Sequence, residues 1–280
     1  MAEIKAADVA ALRKATGAGM MDCKKALEES GGDLEAAKDW LRAKGLAGAS
    51  KRAGRAAEQG AIDVRVEGGV GALVELTAET DFVAKSTDFK AIVTDLAALA
   101  VEAGRDELAD LAYQGATVGE HVTQLAAKLG ENVALGRVVL FETTAGLLDG
   151  YVHVQNERGV MGVLVELAGV DPAAPAAREI AHDVALHIAS AAPMFVDRSD
   201  VPSEVIERET AVFEELTRNE GKPEAAVPKI VEGRLNGFYK DTVLLEQGFV
   251  KEPKQTIAQL LATLGADATV RRFVRVKIGE

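Results

Sequence analysis

The sequence predicts an α+β protein: an N-terminal three-helix bundle, then two repeated strand-strand-helix-helix-strand units, the second carrying an inserted antiparallel coiled-coil hairpin. Three observations carry this prediction. Residues 1–45 place apolar side chains at helical spacing, punctuated by glycines. The run Gly71-Ala72-Leu73-Val74-Glu75-Leu76 recurs with one change as Gly162-Val163-Leu164-Val165-Glu166-Leu167. Residues 203–241 are charged around a narrow apolar stripe and are split by a Gly-Lys-Pro turn, the pattern of two antiparallel helices projecting from a globular body.

Val9 and Leu12 mark the first helix, ended by Gly17, and Met20, Cys23 and Leu27 mark the second, ended by Gly31-Gly32. Asp33 is the expected N-cap of the third, which sets Leu34, Ala37, Trp40 and Leu41 on one side and stops at Gly45. Met20 and Met21 follow a Gly-Ala-Gly loop. Either at least one points outward, where methionine suits a partner surface, or both help fill a small core. Residues 46–60 are rich in small side chains and carry Lys51, Arg52 and Arg55. They read as a linker with solvated charges.

The first repeated unit spans 61–143. It begins with a strand from Ile62 to Val66 and the first copy of the repeat. An amphipathic helix runs from Asp88 to about Ala103, and a second helix opens on the capping box Thr117-x-x-Glu120 and ends at Gly130. A strand from Arg137 to Glu142 closes the unit. The second unit, 144–202 and 242–280, repeats the plan. A strand from Leu148 to Val154 precedes the second copy, and a helix striped by Ile180, Val184 and Ile188 follows it. A helix from Thr256 to Leu264 and a strand from Val270 to Ile278 complete it. The hairpin at 203–241 supplies its extra length: Val205, Ile206, Phe213 and Leu216 form the outgoing stripe, and Ile230, Val231, Leu235 and Phe238 the returning one. Pro228, near the first turn of the return helix, is a candidate bend.

Composition narrows the function. A chain of 280 residues, 48% hydrophobic and 27% charged, is ordinary for a globular protein of about two domains. Its 32 basic and 44 acidic residues give a net charge of −12, which argues against nucleic-acid binding because phosphate neutralisation needs a basic face. Cys23 is the single cysteine, so neither a disulfide framework nor a cysteine-rich metal site is expected. The N-terminus lacks an apolar signal core and no run reaches membrane-spanning length, so a cytoplasmic protein without membrane contact is expected.

No Ser, Cys and His arrangement suggests nucleophilic catalysis, and no phosphate-binding or dinucleotide-binding glycine loop follows a strand. His182 and His187 are five apart on one predicted helix, too far around it to share a metal. His153 lies on a strand beside Tyr151, as a hydrogen-bonded sheet residue or as a contact. Glu214 and Glu215 read as solvated hairpin charges. No catalytic residue, cofactor or metal is expected.

The corner between the first copy of the repeat and its helix is the exception to this plain chemistry. It reads Thr80-Asp81-Phe82-Val83-Ala84-Lys85. Thr80 is a good N-cap, which leaves Asp81 and Phe82 at the exposed head of a short turn. Alternatively, Phe82 and Phe89, seven residues apart, both face the core of one continuous helix. The matching corner in the second unit, Ala168-Gly169-Val170-Asp171-Pro172, has no aromatic, so packing there does not require one.

Residues 75–85, ELTAETDFVAK, resemble the second signature of the bacterial elongation factor Ts family, and residues 12–27, LRKATGAGMMDCKKAL, resemble its N-terminal signature. LGENVALGR at 129–137, Tyr151 with His153, GKPE at 221–224 and KIVEGRLNGFYKD at 229–241 extend the similarity along the chain. The resemblance implies a ubiquitin-associated-like head and a guanine-nucleotide exchange factor, not an enzyme, whose partner is elongation factor Tu in its GDP-bound and nucleotide-free forms. Asp81 and Phe82, with Thr80 and Val83, would enter the partner's nucleotide domain and disturb its magnesium and phosphate site during translation elongation. Arg13, Met20 and Met21 would dock the head on that domain, and His153 would meet another. The hairpin would make a peripheral contact. No DNA contact and no direct RNA contact are expected. Two other classes remain open: an adaptor that binds loaded and empty partner alike, and an RNA-associated factor using Lys51, Arg52, Arg55, Arg271, Arg272, Arg275 and Lys277.

Overall fold

The computed structural model describes residues 4–16 and 18–280. The first part of the chain forms α1 (Ala6–Thr16), α2 (Met20–Glu29), α3 (Leu34–Arg52), β1 (Gln59–Glu67), β2 (Val70–Ala78), α4 (Asp81–Ala84) and α5 (Thr87–Ala103). A small hairpin, β3 (Ala112–Tyr113) and β4 (Ala116–Thr117), leads into α6 (Val118–Leu129) and β5 (Val133–Glu142). Then follow β6 (Leu147–Gln155), β7 (Arg158–Ala168), α7 (Pro175–Ala191), α8 (Ser203–Asn219) and α9 (Val227–Thr242). The chain closes with β8 (Gly248–Phe249), β9 (Glu252–Thr256), α10 (Ile257–Ala262) and β10 (Thr269–Lys277).

The two copies of the repeat become the central strands of two antiparallel three-stranded sheets, ordered β1-β2-β5 and β10-β7-β6. Period-two alternation sorts each copy into two faces. Ala72, Val74 and Leu76 turn toward α5 and α6, while Val163, Val165 and Leu167 turn toward α7 and α10. Leu73 and Leu164 turn the other way and meet residues of the opposite sheet. Each sheet is therefore covered twice, by helices outside and by its counterpart inside, which is why both copies read as nearly continuous apolar runs.

Glycines set the spacing between the sheets. A Cβ on Gly150 would lie 2.5 Å from Val64 Cγ1, and one on Gly159 would lie 2.1 Å from the Ile62 carbonyl oxygen. The glutamates inside these runs, Glu75 and Glu166, are buried and paired. Arg137 Nε donates to Glu75 Oε2 at 2.9 Å, and Arg272 Nε donates to Glu166 Oε2 at 2.7 Å. Both pairs sit beside an irregularity in the strand register, between Val74 and Leu76 and between Val270 and Arg272.

The head core is Leu12, Cys23, Ala26, Leu27, Ala37 and Leu41. Asp33 caps α3 as expected, accepting from the Glu35 and Ala36 amides. Gly17, the expected end of the first helix, lies outside the described residues. Leu34 is exposed and Trp40 only half-buried, so the buried stripe of α3 is narrower than its apolar pattern. The stop expected at Gly45 does not occur. The helix runs on to Arg52, and the stretch read as a linker is helical over its first half. The cause is a neighbour that local pattern cannot show. A Cβ on Gly45 would lie 2.9 Å from Ala127 Cβ on α6, and Arg52 Nη2 donates to the Ala126 carbonyl oxygen at 3.2 Å. Glycine costs a helix about 1 kcal/mol relative to alanine, and here its absent side chain lets two helices touch.

The hairpin of α8 and α9 turns at Gly221, whose φ is +71°. Pro228 falls in the first turn of α9, where no intrahelical amide bond is lost, so no bend is required there. Leu216, expected in the seam, is exposed; Thr217 replaces it, fully buried, with its hydroxyl donating to the Phe213 carbonyl oxygen at 2.6 Å.

At the foot of the hairpin, His187 of α7 is fully buried. Its Nδ1 accepts from the Val250 amide at 3.3 Å and its Nε2 lies 2.9 Å from Gln247 Oε1. Gln247 in turn donates to the Asp241 carbonyl oxygen at 2.7 Å. Burial pushes the His187 imidazole below its ordinary value, partly opposed by Gln247. A depressed histidine takes its proton more readily when unfolded. The folded state should therefore hold its stability above about pH 6.5 and lose it below, by at most about 1.4 kcal/mol per pH unit. Urea unfolding of the wild type and of His187→Gln at pH 7.5 and 5.5 checks this. The wild type should lose more stability between the two than the variant, and equal losses would remove His187 as the cause.

Candidate functional site

The corner after β2 folds as two helices rather than one. Thr80 N-caps α4, its side chain accepting from the Val83 amide. Ser86 N-caps α5, accepting from the Phe89 amide. Two capping residues six positions apart break the register, so Phe82 and Phe89 no longer share a face. Phe89 is fully buried in the first helical core, whereas Phe82 is 82% exposed at the head of α4. Val83 is half-buried and packs on that core with Ala84, which anchors the turn from below.

The turn is held electrostatically as well. Lys85 Nζ donates to Asp81 Oδ2 at 2.5 Å and lies 6.0 Å from the centre of the Phe82 ring. The Lys85 ammonium, helped by the field of the Arg158 guanidinium, holds the Asp81 carboxyl below the usual carboxylate range. An ionised acceptor and a bare aromatic ring are thus presented side by side. Such a pair can hydrogen-bond to a partner's donors and wedge between its apolar side chains.

Sequence reasoning passed over what fixes this turn from outside. Thr80 donates twice to Glu131, from its amide to Oε2 at 2.9 Å and from its hydroxyl to Oε1 at 2.5 Å. The Asn132 amide donates to Glu79 Oε1 at 2.7 Å, and Asn132 Nδ2 donates to the Arg55 carbonyl oxygen at 2.7 Å. The signal was the Gly130-Glu131-Asn132 turn, visible in the sequence but unassigned because its partners lie far away in the chain.

A second exposed patch lies on the head. Met20 and Met21 are 58% and 73% exposed, so neither fills the small core. With Ile4, Val9 and Arg13 they line an open groove of about 650 Å³ between α1 and α2. His153 sits apart from both, exposed on β6 in the second sheet, with its Nδ1 3.1 Å from the Tyr151 hydroxyl. His182 is exposed and 3.0 Å from Asp149, while His187 is buried on another side of α7. Among the described residues no cluster of three or more His, Cys, Asp or Glu side chains is placed to hold a metal ion. None of their helices is long and apolar enough to cross a membrane.

Several of the basic residues named above have acidic neighbours. Arg271 and Arg272 both reach Glu166, and Arg275 and Lys277 both reach Glu280. Arg55 lies 3.4 Å from Glu79 and Arg52 is spent on α6.

The corner thus presents an exposed aromatic ring beside a carboxylate. Comparison with known proteins identifies the family. A family profile described as "Elongation factor TS" matches residues 79–280. The protein named "Elongation factor Ts" of Micrococcus luteus is 44% identical, with all of both chains covered. That of Renibacterium salmoninarum is 45% identical, again over the whole of both. That of Rhodospirillum rubrum is 45% identical over all of this chain and 94% of its own.

Proposed function

The chain belongs to the elongation factor Ts family and is a translation elongation factor, and from that premise we propose that it is a guanine-nucleotide exchange factor for elongation factor Tu. The observation that carries the proposal is the capped turn that leaves Phe82 exposed beside an ionised Asp81. Phe82 acts as the apolar wedge in the partner's nucleotide domain, and Asp81 accepts hydrogen bonds from the helix it displaces. Thr80 caps the turn and Val83 seats it.

Bound GDP and its magnesium depend on backbone amides, a lysine and cation bridges that tolerate little displacement. The factor needs only to bind the empty partner more tightly than the loaded one, and by linkage nucleotide then weakens its grip by the same factor. A thousandfold weakening requires about 4 kcal/mol of coupling. One inserted aromatic with a few hydrogen bonds falls within the range of interface hot spots. No bond is made or broken in this reaction.

The other elements divide the docking. The head, residues 1–45 with its third helix continuing to Arg52, holds the nucleotide domain through Arg13, Met20 and Met21. The first unit, 61–143, carries the wedge. The second, 144–202 and 242–280, meets another partner domain through His153, and the hairpin at 203–241 makes a peripheral contact. Stopped-flow release of a fluorescent GDP analogue from elongation factor Tu tests the reading. At saturating factor, release should accelerate by at least about a hundredfold, corresponding to about 2.7 kcal/mol. Equal affinity for loaded and empty partner, without acceleration, would make the protein an adaptor instead.

A further inference from the structure

The wedge turn is short. Four residues of α4 cannot hold an orientation by themselves, because isolated helices of that length are unstable in water. Something outside the turn must fix it. Ala84 and Val83 seat it on the core from below. A further contact comes from the turn between α6 and β5. Glu131 is acceptor-only toward Thr80 and takes both its amide and its hydroxyl hydrogens, at 2.9 and 2.5 Å. The hydroxyl oxygen still accepts from the Val83 amide at 3.4 Å, so a single residue relays the Glu131 constraint into the first turn of α4.

The next residue extends the constraint to the head. Asn132 is buried, and it bonds at once to Glu79 on the wedge side and to the Arg55 carbonyl oxygen just past α3. The preceding helix, α6, is the one that Gly45 and Arg52 of α3 dock against. Head helix, α6, the 130–132 turn and the wedge form one contiguous hydrogen-bonded and packed series.

We infer that Glu131 is the positioning residue for the Asp81–Phe82 wedge: its two hydrogen bonds to Thr80 set the direction in which Phe82 projects, and Asn132 refers that direction to the head. The inference rests on the exchange reading above. Glu131 does not touch the partner's nucleotide; it acts through Thr80. Without it the wedge must be ordered during insertion, an entropic cost that appears after docking and therefore in the maximal rate.

The test is nucleotide release from elongation factor Tu, measured against factor concentration for the full-length protein. Glu131→Ala should lower the maximal release rate about tenfold, the change that about 1.4 kcal/mol of lost positioning gives, with the half-saturating concentration within about threefold of wild type. Glu131→Gln keeps one acceptor oxygen for Thr80's two donors, and it should fall between wild type and alanine. In a Phe82→Ala background, Glu131→Ala should cost much less than tenfold, because only Asp81 is left for it to position. Amide hydrogen exchange of the free protein should show Thr80 and Val83 opening faster in Glu131→Ala.

A wild-type maximal rate in Glu131→Ala would overturn the inference, and so would a full tenfold loss that persists without Phe82. A rise in half-saturating concentration alone would assign Glu131 to docking and overturn it too. If Glu131→Ala does not fold, Glu131→Gln carries the same comparison. Wild-type protein that accelerates nothing would sink the exchange reading itself, an outcome distinct from an accelerating wild type with an indifferent Glu131.

Discussion

Phe82→Ala should fold as stably as the wild type and lose about a hundredfold of its acceleration of nucleotide release from elongation factor Tu. The stability half follows from exposure. At 82% exposed, the ring removes almost no core contact when truncated, and surface changes of this kind usually stay within about 0.5 kcal/mol. The neighbouring Lys85 ammonium keeps its bond to Asp81. The activity half follows from the wedge. An aromatic anchor at the centre of an interface commonly contributes about 2–4 kcal/mol, and every 1.4 kcal/mol is about tenfold. Thermal unfolding and stopped-flow release measure the two halves separately. A folded variant with the wild-type rate would remove Phe82 from the mechanism.

Phe89→Ala should do the reverse. Its ring is fully buried in the core between the first sheet and α5 and α6. Truncating such a phenylalanine costs about 3–5 kcal/mol through lost burial and the cavity left behind. Against a total stability of about 5–15 kcal/mol, that is a large share of what holds the protein folded. Urea unfolding at 25 °C measures it, and a loss under about 1 kcal/mol would mean the core closes over the gap. Two phenylalanines seven residues apart should thus separate function from stability.

These two residues also show where sequence reading succeeds. Helical spacing alone would put Phe82 and Phe89 on one face; the cap at Thr80 was legible, whereas that at Ser86, which completes the break, was not assigned. Local chemistry of that sort was legible: the capping box at Thr117 and Glu120 is present, and so is the cap at Asp33. The repeated hexapeptide lands on the central strand of each sheet because a strand covered on both faces leaves a continuous apolar run. The exposed methionines were legible only as one of two options, since a thin core could have taken either.

What escaped was decided across long sequence separations. Gly45 looks like a helix stop until Ala127 is beside it. Leu216 belongs in the hairpin seam by hydrophobicity, yet Thr217 sits there because its hydroxyl can be satisfied by its own helix. Glu131 has no local reason to matter, and its partner lies 51 residues away. Arg52 and Arg55 read as free charge because their acceptors, Ala126 and Glu79, belong to other elements.

The length of α3 has a mechanical meaning. Its 19 residues make a rod about 28 Å long, fixed to α6 along its last two turns and carrying the rest of the head on its free arm. A rod clamped at one end is a lever. The Gly45–Ala127 contact lies one helix away from the turn that bonds Thr80. The small bundle is thus joined to the body by an unbroken helix, and cutting the chain at residue 45 would sever α3 in its middle instead of detaching a module.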